Sequence, residues 1–264
     1  MENKMIVTEK NGLKYYQFES FLNEGIKHGF FTRFGGVSPK PFDSLNMSIT
    51  LGDSKENTRE NVRRMLECGG MTLENRYDGW QCHSRTVIAV DVHRDSDTRP
   101  LRADGLITDN PDIALVQRFG DCVPVILYDP VHRAVGLYHA GWRGTVDDMG
   151  GITIRNMTKL YGTDPKDLLA GIGPSIGPDH FEVKDDCAAH FRRRFGERYA
   201  EIADLSDGSI RLDLWKSNRM LLEDHGVTKI ETAEICTVCH KDEWFSHRGD
   251  HGMTGRFGVF ITLG

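Results

Sequence analysis

Nothing in the 264 residues approaches the ~18 consecutive apolar residues of a membrane span. Met1-Glu2-Asn3-Lys4 lacks the apolar core of a secretory signal. A cytoplasmic protein with no membrane partner is therefore expected. Basic charge is also in deficit: 33 Lys and Arg stand against 39 Asp and Glu, a net charge of −6. That argues against a nucleic-acid partner, which needs a basic face, but leaves room for a local basic pocket. The six cysteines are scattered along a long chain, so a disulfide framework is not expected in a reducing compartment. The eleven histidines include no His-x-His pair, which argues against the several histidine clusters of a conventional multicopper oxidase. The Gly-rich loop Gly171–Gly177 lacks the Gly-Lys-Ser/Thr of a Walker loop. Absence of repeats, low-complexity tracts and Pro/Ser linkers makes residues 1–264 one domain.

What is present is ordinary for a globular protein: 39% hydrophobic and 27% charged residues, in a chain long enough to bury a core without disulfide staples. Gly, at 28 residues, exceeds the average of about 7% and predicts many tight turns. Strands are expected at 14–18, 28–32, 86–92, 105–108, 113–117, 123–128, 134–139 and 256–263, where short apolar or β-branched runs lie between turn residues. The unbroken run Val123–Leu127 suggests a strand buried on both faces. Apolar periodicity predicts helices at 56–68, 145–161, 185–195 and 213–225. Gly150-Gly151 weakens the second of these, and Asp213 caps the last. The mixture gives an α/β protein.

Three residues carry the chemistry. His83 precedes a strand, Cys122 begins one and His139 ends one. Two imidazoles and a thiolate form a borderline-soft ligand set suited to Zn²⁺. A fourth position left for water would make the site catalytic. On spacing alone, an inert cysteine and two ordinary polar histidines are the commoner outcome. Arg143-Gly144-Thr145 leads from the His139 strand into a helix, whose N-terminus could hold an anion with Arg143. Cys236-Thr237-Val238-Cys239 suggests a zinc ribbon, but no second Cys-x-x-Cys accompanies it.

Together, Gln81-Cys82-His83, Ala103-Asp104-Gly105-Leu106-Ile107-Thr108, Asp121-Cys122-Val123-Pro124-Val125, His139-Ala140-Gly141-Trp142-Arg143-Gly144, Gly171-Ile172-Gly173-Pro174 and Thr254-Gly255-Arg256 resemble the laccase-domain family, also known as the multicopper polyphenol oxidase or purine nucleoside phosphorylase family. Arg33-Phe34-Gly35-Gly36-Val37-Ser38 and Leu45-Asn46 fit it too, so the resemblance covers nearly the whole chain. It implies a single domain layered α/β/β/α, with a metal on His83, Cys122 and His139. Three departures stand out: Ser84 where the family has Gly, Ser175 where it often has Cys, and Ser246-His247-Arg248-Gly249-Asp250 where it usually reads Ser-Tyr-Arg-Arg-Asp. The family matches Cys236 but has no usual counterpart to Cys239, which makes the Cys-x-x-Cys pair incidental on this reading.

The resemblance implies phosphorolysis of adenosine, inosine and methylthioadenosine, with adenosine deamination alongside. It also implies two alternatives: copper-dependent oxidation of phenols, or amide hydrolysis in editing a peptidoglycan precursor. Zinc is the expected metal, and a single Cu²⁺ on the same ligands is possible. Zinc deaminases pair His-x-Glu with Pro-Cys-x-x-Cys; the chain has no Pro-Cys-x-x-Cys, so Asp121 is the candidate proton carrier. Arg143, with Arg33 and Arg248, is the candidate phosphate site, and Asn46 the candidate ribose or base contact. Cys122 could instead act as a nucleophile with His139 as its base, or the metal could be purely structural.

Overall fold

Each central strand presents apolar side chains to both sides, so each sheet needs cover on two faces. The structure, a computed structural model, describes residues 5–50, 52–95 and 98–264. One six-stranded sheet runs in the order β1 (Met5–Lys10), β2 (Leu13–Phe18), β3 (Lys27–Phe31), β15 (Phe257–Thr262), β7 (Ala114–Phe119), β4 (Arg76–Asp78). The second runs β14 (Lys229–Thr232), β10 (Leu169–Ile172), β8 (Val123–Asp129), β9 (Ala134–Ala140), β6 (Gly105–Thr108), β5 (Val87–Ala89). A small third sheet joins β11 (Glu182–Val183), β12 (Ala203–Asp204) and β13 (Ile210–Leu212).

The two-residue period of a strand sorts the core into three layers. Leu115, Phe119, Phe257 and Val259 of the first sheet pack against Leu106, Ile126, Val135 and Leu137 of the second. The other face of the first sheet, with Val116, Phe31 and Phe260, is covered by Val62, Met65 and Leu66 of helix α2 (Lys55–Cys68). The other face of the second, with Val123, Val125, Leu127 and Tyr138, lies under helices α4 (Met149–Tyr161), α5 (Asp185–Phe195) and α6 (Leu214–Asp224). Two short helices, α1 (Glu19–Asn23) and α3 (Trp142–Val146), complete the set. The result is the expected α/β/β/α arrangement. Among the described residues, no helix is long and apolar enough to cross a membrane.

The expected helix at 145–161 is two helices. Asp148 takes φ +62 and its carboxylate accepts from Gly151 N–H, capping α4. The carboxylate also accepts from His225 Nε2 at 2.8 Å, so a tertiary contact fixes the break.

His28, on β3, is fully buried among Phe18, Phe21 and Phe30; its Nε2 accepts from Phe18 N–H at 2.8 Å and its Nδ1 donates to Ile26 O at 3.1 Å. These partners require a neutral ring. Burial lowers its pKa from 6.5 to about 4, against a smaller opposing effect of the Ile26 carbonyl. Below pH 6.5 the unfolded chain therefore binds a proton that the folded chain refuses. Stability should fall between pH 6.5 and about 4, by about 3 kcal/mol in all from this residue, and this contribution should level off below that. Urea unfolding midpoints measured from pH 7 to pH 4 check this, and His28→Gln should flatten the slope.

Candidate metal centre and active-site cavity

β8 and β9 are antiparallel neighbours, with Pro124 paired to His139 and Val123 to Ala140. The start of one strand thus meets the end of the other, which brings Cys122 beside His139. His83 arrives on the loop between β4 and β5. One ligand atom from each of His83, Cys122 and His139 lies within 4.8 Å of the other two, with Cys122 Sγ 3.9 Å from His83 Nε2. Gly141 sits against this group: a Cβ there would lie 2.9 Å from Cys122 Sγ and 3.0 Å from the His83 ring. Only a residue without a side chain lets the thiol and imidazole approach each other.

Asp104, at the start of the β6 segment and fully buried, organises the trio. Its carboxylate accepts from His139 Nδ1 (3.0 Å) and from the backbone N–H groups of Cys82 (3.3 Å), His83 (3.1 Å) and Ser84 (2.6 Å). It also accepts from Ser84 Oγ at 2.7 Å, a bond the family's usual glycine could not make. Its own carbonyl accepts from His139 N–H at 2.7 Å. The bond from Nδ1 turns His139 Nε2 toward the site. The three backbone bonds hold His83 at φ +58, a left-handed conformation disfavoured for a residue with a Cβ.

Burial opposes ionisation of Cys122, but the adjacent His139 and His83 outweigh it and bring the thiol down to about 6. Burial likewise opposes charging of His139; the Cys122 thiolate and the Asp104 carboxylate outweigh it and hold the ring up at about 9. Asp104 is held down at about 2, since bonds from His139 and Ser84 exceed the cost of its burial. Both shifts favour a thiolate facing an imidazolium, and the donor atoms are of the kind on which a thiophilic divalent ion replaces protons.

These residues lie in a cavity of about 1020 Å³. Among the described residues, its wall carries seven Lys and Arg against two carboxylates, Glu56 and Asp78. Asp78 pairs with Arg94 and Arg118 and lies 3.7 Å from Arg76. Arg256 ion-pairs with no carboxylate among the described residues; it is half-buried against Gly120, and its Nη2 lies 3.5 Å from His247 Nδ1. Trp80 is exposed on the same wall with Arg99 stacked 4.1 Å from its ring centre.

The other residues singled out from sequence sit elsewhere. Arg143 is exposed and stacks on Trp142 at 4.3 Å, outside the cavity lining. Arg33 donates to the carbonyls of Asp43 (2.9 Å) and Lys241 (2.8 Å) and stacks on Phe245. Arg248 donates to the carbonyls of His180 (2.9 Å) and Glu182 (3.1 Å). Asn46 is buried; its amide donates to Ser48 O and Asp53, and its oxygen accepts from the N–H of Ser48 and of Arg256. It therefore positions Arg256 rather than facing the cavity. Asp121 has its carboxylate filled by Thr237 Oγ1 (2.7 Å), Ser246 Oγ (2.7 Å) and Arg248 N–H (2.6 Å). At φ +86 it turns the chain so that Cys122 points inward. Asp104 and Arg256 were not assigned roles from sequence, although both lie in quoted motifs.

A family model described as multi-copper polyphenol oxidoreductase laccase matches residues 27–264. Purine nucleoside phosphorylase YlmD of Bacillus subtilis is 32% identical over 91% of this chain and 90% of its own length. A purine nucleoside phosphorylase of Bacteroides thetaiotaomicron is 34% identical over 97% of this chain and 98% of its own. The crystal structure of YlmD from Geobacillus stearothermophilus superposes with a TM-score of 0.90 at 32% identity, covering 98% of this chain and 99% of that one. Fold, matched length and identity agree: the chain belongs to the multi-copper polyphenol oxidoreductase laccase family, whose relatives here are named purine nucleoside phosphorylases.

Proposed function

We propose that this protein is a metal-dependent purine nucleoside phosphorylase acting on adenosine, inosine and methylthioadenosine, with adenosine deamination as an accompanying activity. The observation that carries the reading is a cavity with a strongly basic wall that ends on His83, Cys122 and His139; the names of the relatives agree with it. The donor set fits zinc, which when bound there would act as a Lewis acid. Arg256, with no carboxylate partner among the described residues, holds phosphate through charge-assisted hydrogen bonds. Arg94 and Arg118, which share Asp78, add positive potential behind it. Trp80 is exposed, and the ring face opposite Arg99 offers a surface on which a purine can stack. Arg143, Arg33, Arg248, Asn46 and Asp121 do not line the cavity; Asn46 and Asp121 act only indirectly, by positioning Arg256 and Cys122.

The test is chromatography of adenosine and inosine reactions with and without phosphate. Free base released only when phosphate is present supports phosphorolysis, and inosine formed from adenosine supports deamination. Unchanged nucleosides under both conditions overturn the proposal. Arg256→Ala should raise the KM for phosphate about tenfold to hundredfold, the loss of one to two charge-assisted bonds, with a smaller change in the KM for nucleoside. Initial rates across phosphate concentrations measure it.

One observation favours a second reading. The lowered thiol of Cys122 beside His139 is also the pairing of a cysteine nucleophile with its base. Amide hydrolysis that survives complete removal of metal would support that reading.

A further inference from the structure

The Cys-x-x-Cys pair that appeared incidental in the sequence finds partners on another loop. Asp179 and His180 follow β10, and Cys236 and Cys239 follow β14, yet one ligand atom from each of the four lies within 4.8 Å of all the others. His180 Nδ1 is 3.6 Å from Cys236 Sγ and 3.5 Å from Cys239 Sγ. Zn–S bonds of about 2.3 Å and Zn–N bonds of about 2.0–2.1 Å give a tetrahedral S-to-N edge of about 3.6 Å. Asp179 Oδ2 lies 3.1 Å from Cys239 Sγ and 3.0 Å from His180 Nδ1. Asp179 is exposed, so a small rotation of its side chain turns these hydrogen bonds into a fourth ligand position. The buried Cys236 sulfur also accepts a backbone N–H from Gly177 at 3.2 Å, the support that thiolate ligands receive from the surrounding shell.

We propose that Asp179, His180, Cys236 and Cys239 bind a structural zinc ion, separate from any metal at His83, Cys122 and His139. Four protein ligands close the coordination sphere, which marks a structural site, whereas three ligands leave room for a reactant. Two thiolates, an imidazole and a carboxylate within 4.8 Å of one another form a donor set that selects zinc over harder divalent ions. His180-Phe181-Glu182 followed by Cys236-x-x-Cys239 supplies the donor types of a zinc deaminase in the same order. Here Asp179 fills the corner that a deaminase leaves for water.

The ion has a mechanical task. Ser175 bridges to Cys236, with Ser175 N–H bonded to Ile235 O and Thr237 N–H to Ser175 O. Thr237, between the two cysteines, donates to Asp121, and Ile176 N–H bonds Asp121 O at 2.9 Å. Arg248 clasps the His180 and Glu182 carbonyls while its own N–H bonds Asp121. Zinc would therefore lock together the two loops that hold the left-handed Asp121 and so aim Cys122.

The experiment measures zinc by mass spectrometry in the full-length protein after zinc loading and dialysis. Cys122→Ser protein should retain about one zinc per chain, and adding Cys239→Ser should remove it. Cys239 is exposed, so this substitution spares the core. On unmutated protein, iodoacetamide labelling of Cys236 and Cys239 should be at least about tenfold slower with zinc than after chelation. Equal zinc content in wild type and Cys122→Ser, with protection of Cys236 and Cys239 intact, supports this site while removing metal from the other. A Cys122→Ser protein without zinc, equal labelling rates with and without zinc, or a Cys236–Cys239 disulfide in the zinc-loaded protein would each overturn the proposal.

Discussion

Cys122→Ala is expected to lower kcat/KM for phosphorolysis by at least about 10³-fold, or about 4 kcal/mol of transition-state stabilisation, while leaving the fold intact. The sulfur is half-buried at the end of the cavity and contributes little to the core. Its loss takes away one of three candidate metal donors and the negative charge that favours protonation of His139. Two consequences separate this from misfolding. The circular-dichroism spectrum and thermal midpoint should stay close to wild type, and the His139 ring should titrate at lower pH in a nuclear magnetic resonance pH series. Wild-type turnover in the folded variant would remove Cys122 from the reaction. Chelation of a Cys239→Ser enzyme, in which the second zinc site is already disabled, then divides the two readings of the role of Cys122: activity lost and restored with zinc belongs to a ligand, and activity retained belongs to a nucleophile.

Much of the fold was legible because burial and period coincide in its central elements. The run Val123–Leu127 forms a strand covered on both faces, and the helix expected at 185–195 matches α5 residue for residue. Most of what was missed is short or set by distant partners; the exception is β1, an edge strand whose residues are exposed or half-buried, with no apolar alternation to mark it. β10 and β14 have four residues each and pair with one another across about sixty positions; alternation alone does not mark so short a run, and β10 runs into the Gly-rich stretch Gly171–Gly177, which reads as a loop. The strand expected at 86–92 narrows to Val87–Ala89, since only those residues pair with β6.

The site shows the same division. Its three central donors stood out as chemically distinctive residues at strand ends. Asp104 did not, because an aspartate before a strand has the look of a turn residue, and the partners of its carboxylate come from two other segments of the chain. The anion expectation fell on Arg143 because Gly and a helix start adjoin it. α3 is only five residues long, however, and Arg143 turns outward onto Trp142. The basic wall is instead assembled from Arg94, Arg118 and Arg256, which no local spacing links. Likewise, Cys239 was legible as half of a Cys-x-x-Cys pair, but the partners Asp179 and His180 lie almost sixty residues earlier and meet it only through the β10–β14 pairing.

Asp104→Ala is expected to be the most damaging single substitution around the centre that leaves all three donors in place. One carboxylate fixes His139 by its ring and His83 by its backbone, so two ligands lose their orientation together. Replacing an outer partner of a ligand histidine typically costs about 10–100-fold in metal affinity; losing the support of His83 as well should bring the effect to the upper end of that range or past it. Stability should fall by about 3–5 kcal/mol, because the buried imidazole and three backbone N–H groups lose their acceptor at once, at about 1–3 kcal/mol for each donor that water fails to reach. His83 also has no remaining reason to stay at φ +58. Asp104→Asn tests the electrostatic part alone: it keeps one acceptor oxygen for His139 but turns an NH₂ toward the Cys82 and Ser84 N–H groups. It should show an intermediate loss of zinc affinity and a lower titration of His139. Competition against a chromophoric chelator gives the affinities, and thermal unfolding gives the stabilities. Zinc affinity equal to wild type in the folded Asp104→Ala protein would mean that the donors are held by something other than this carboxylate.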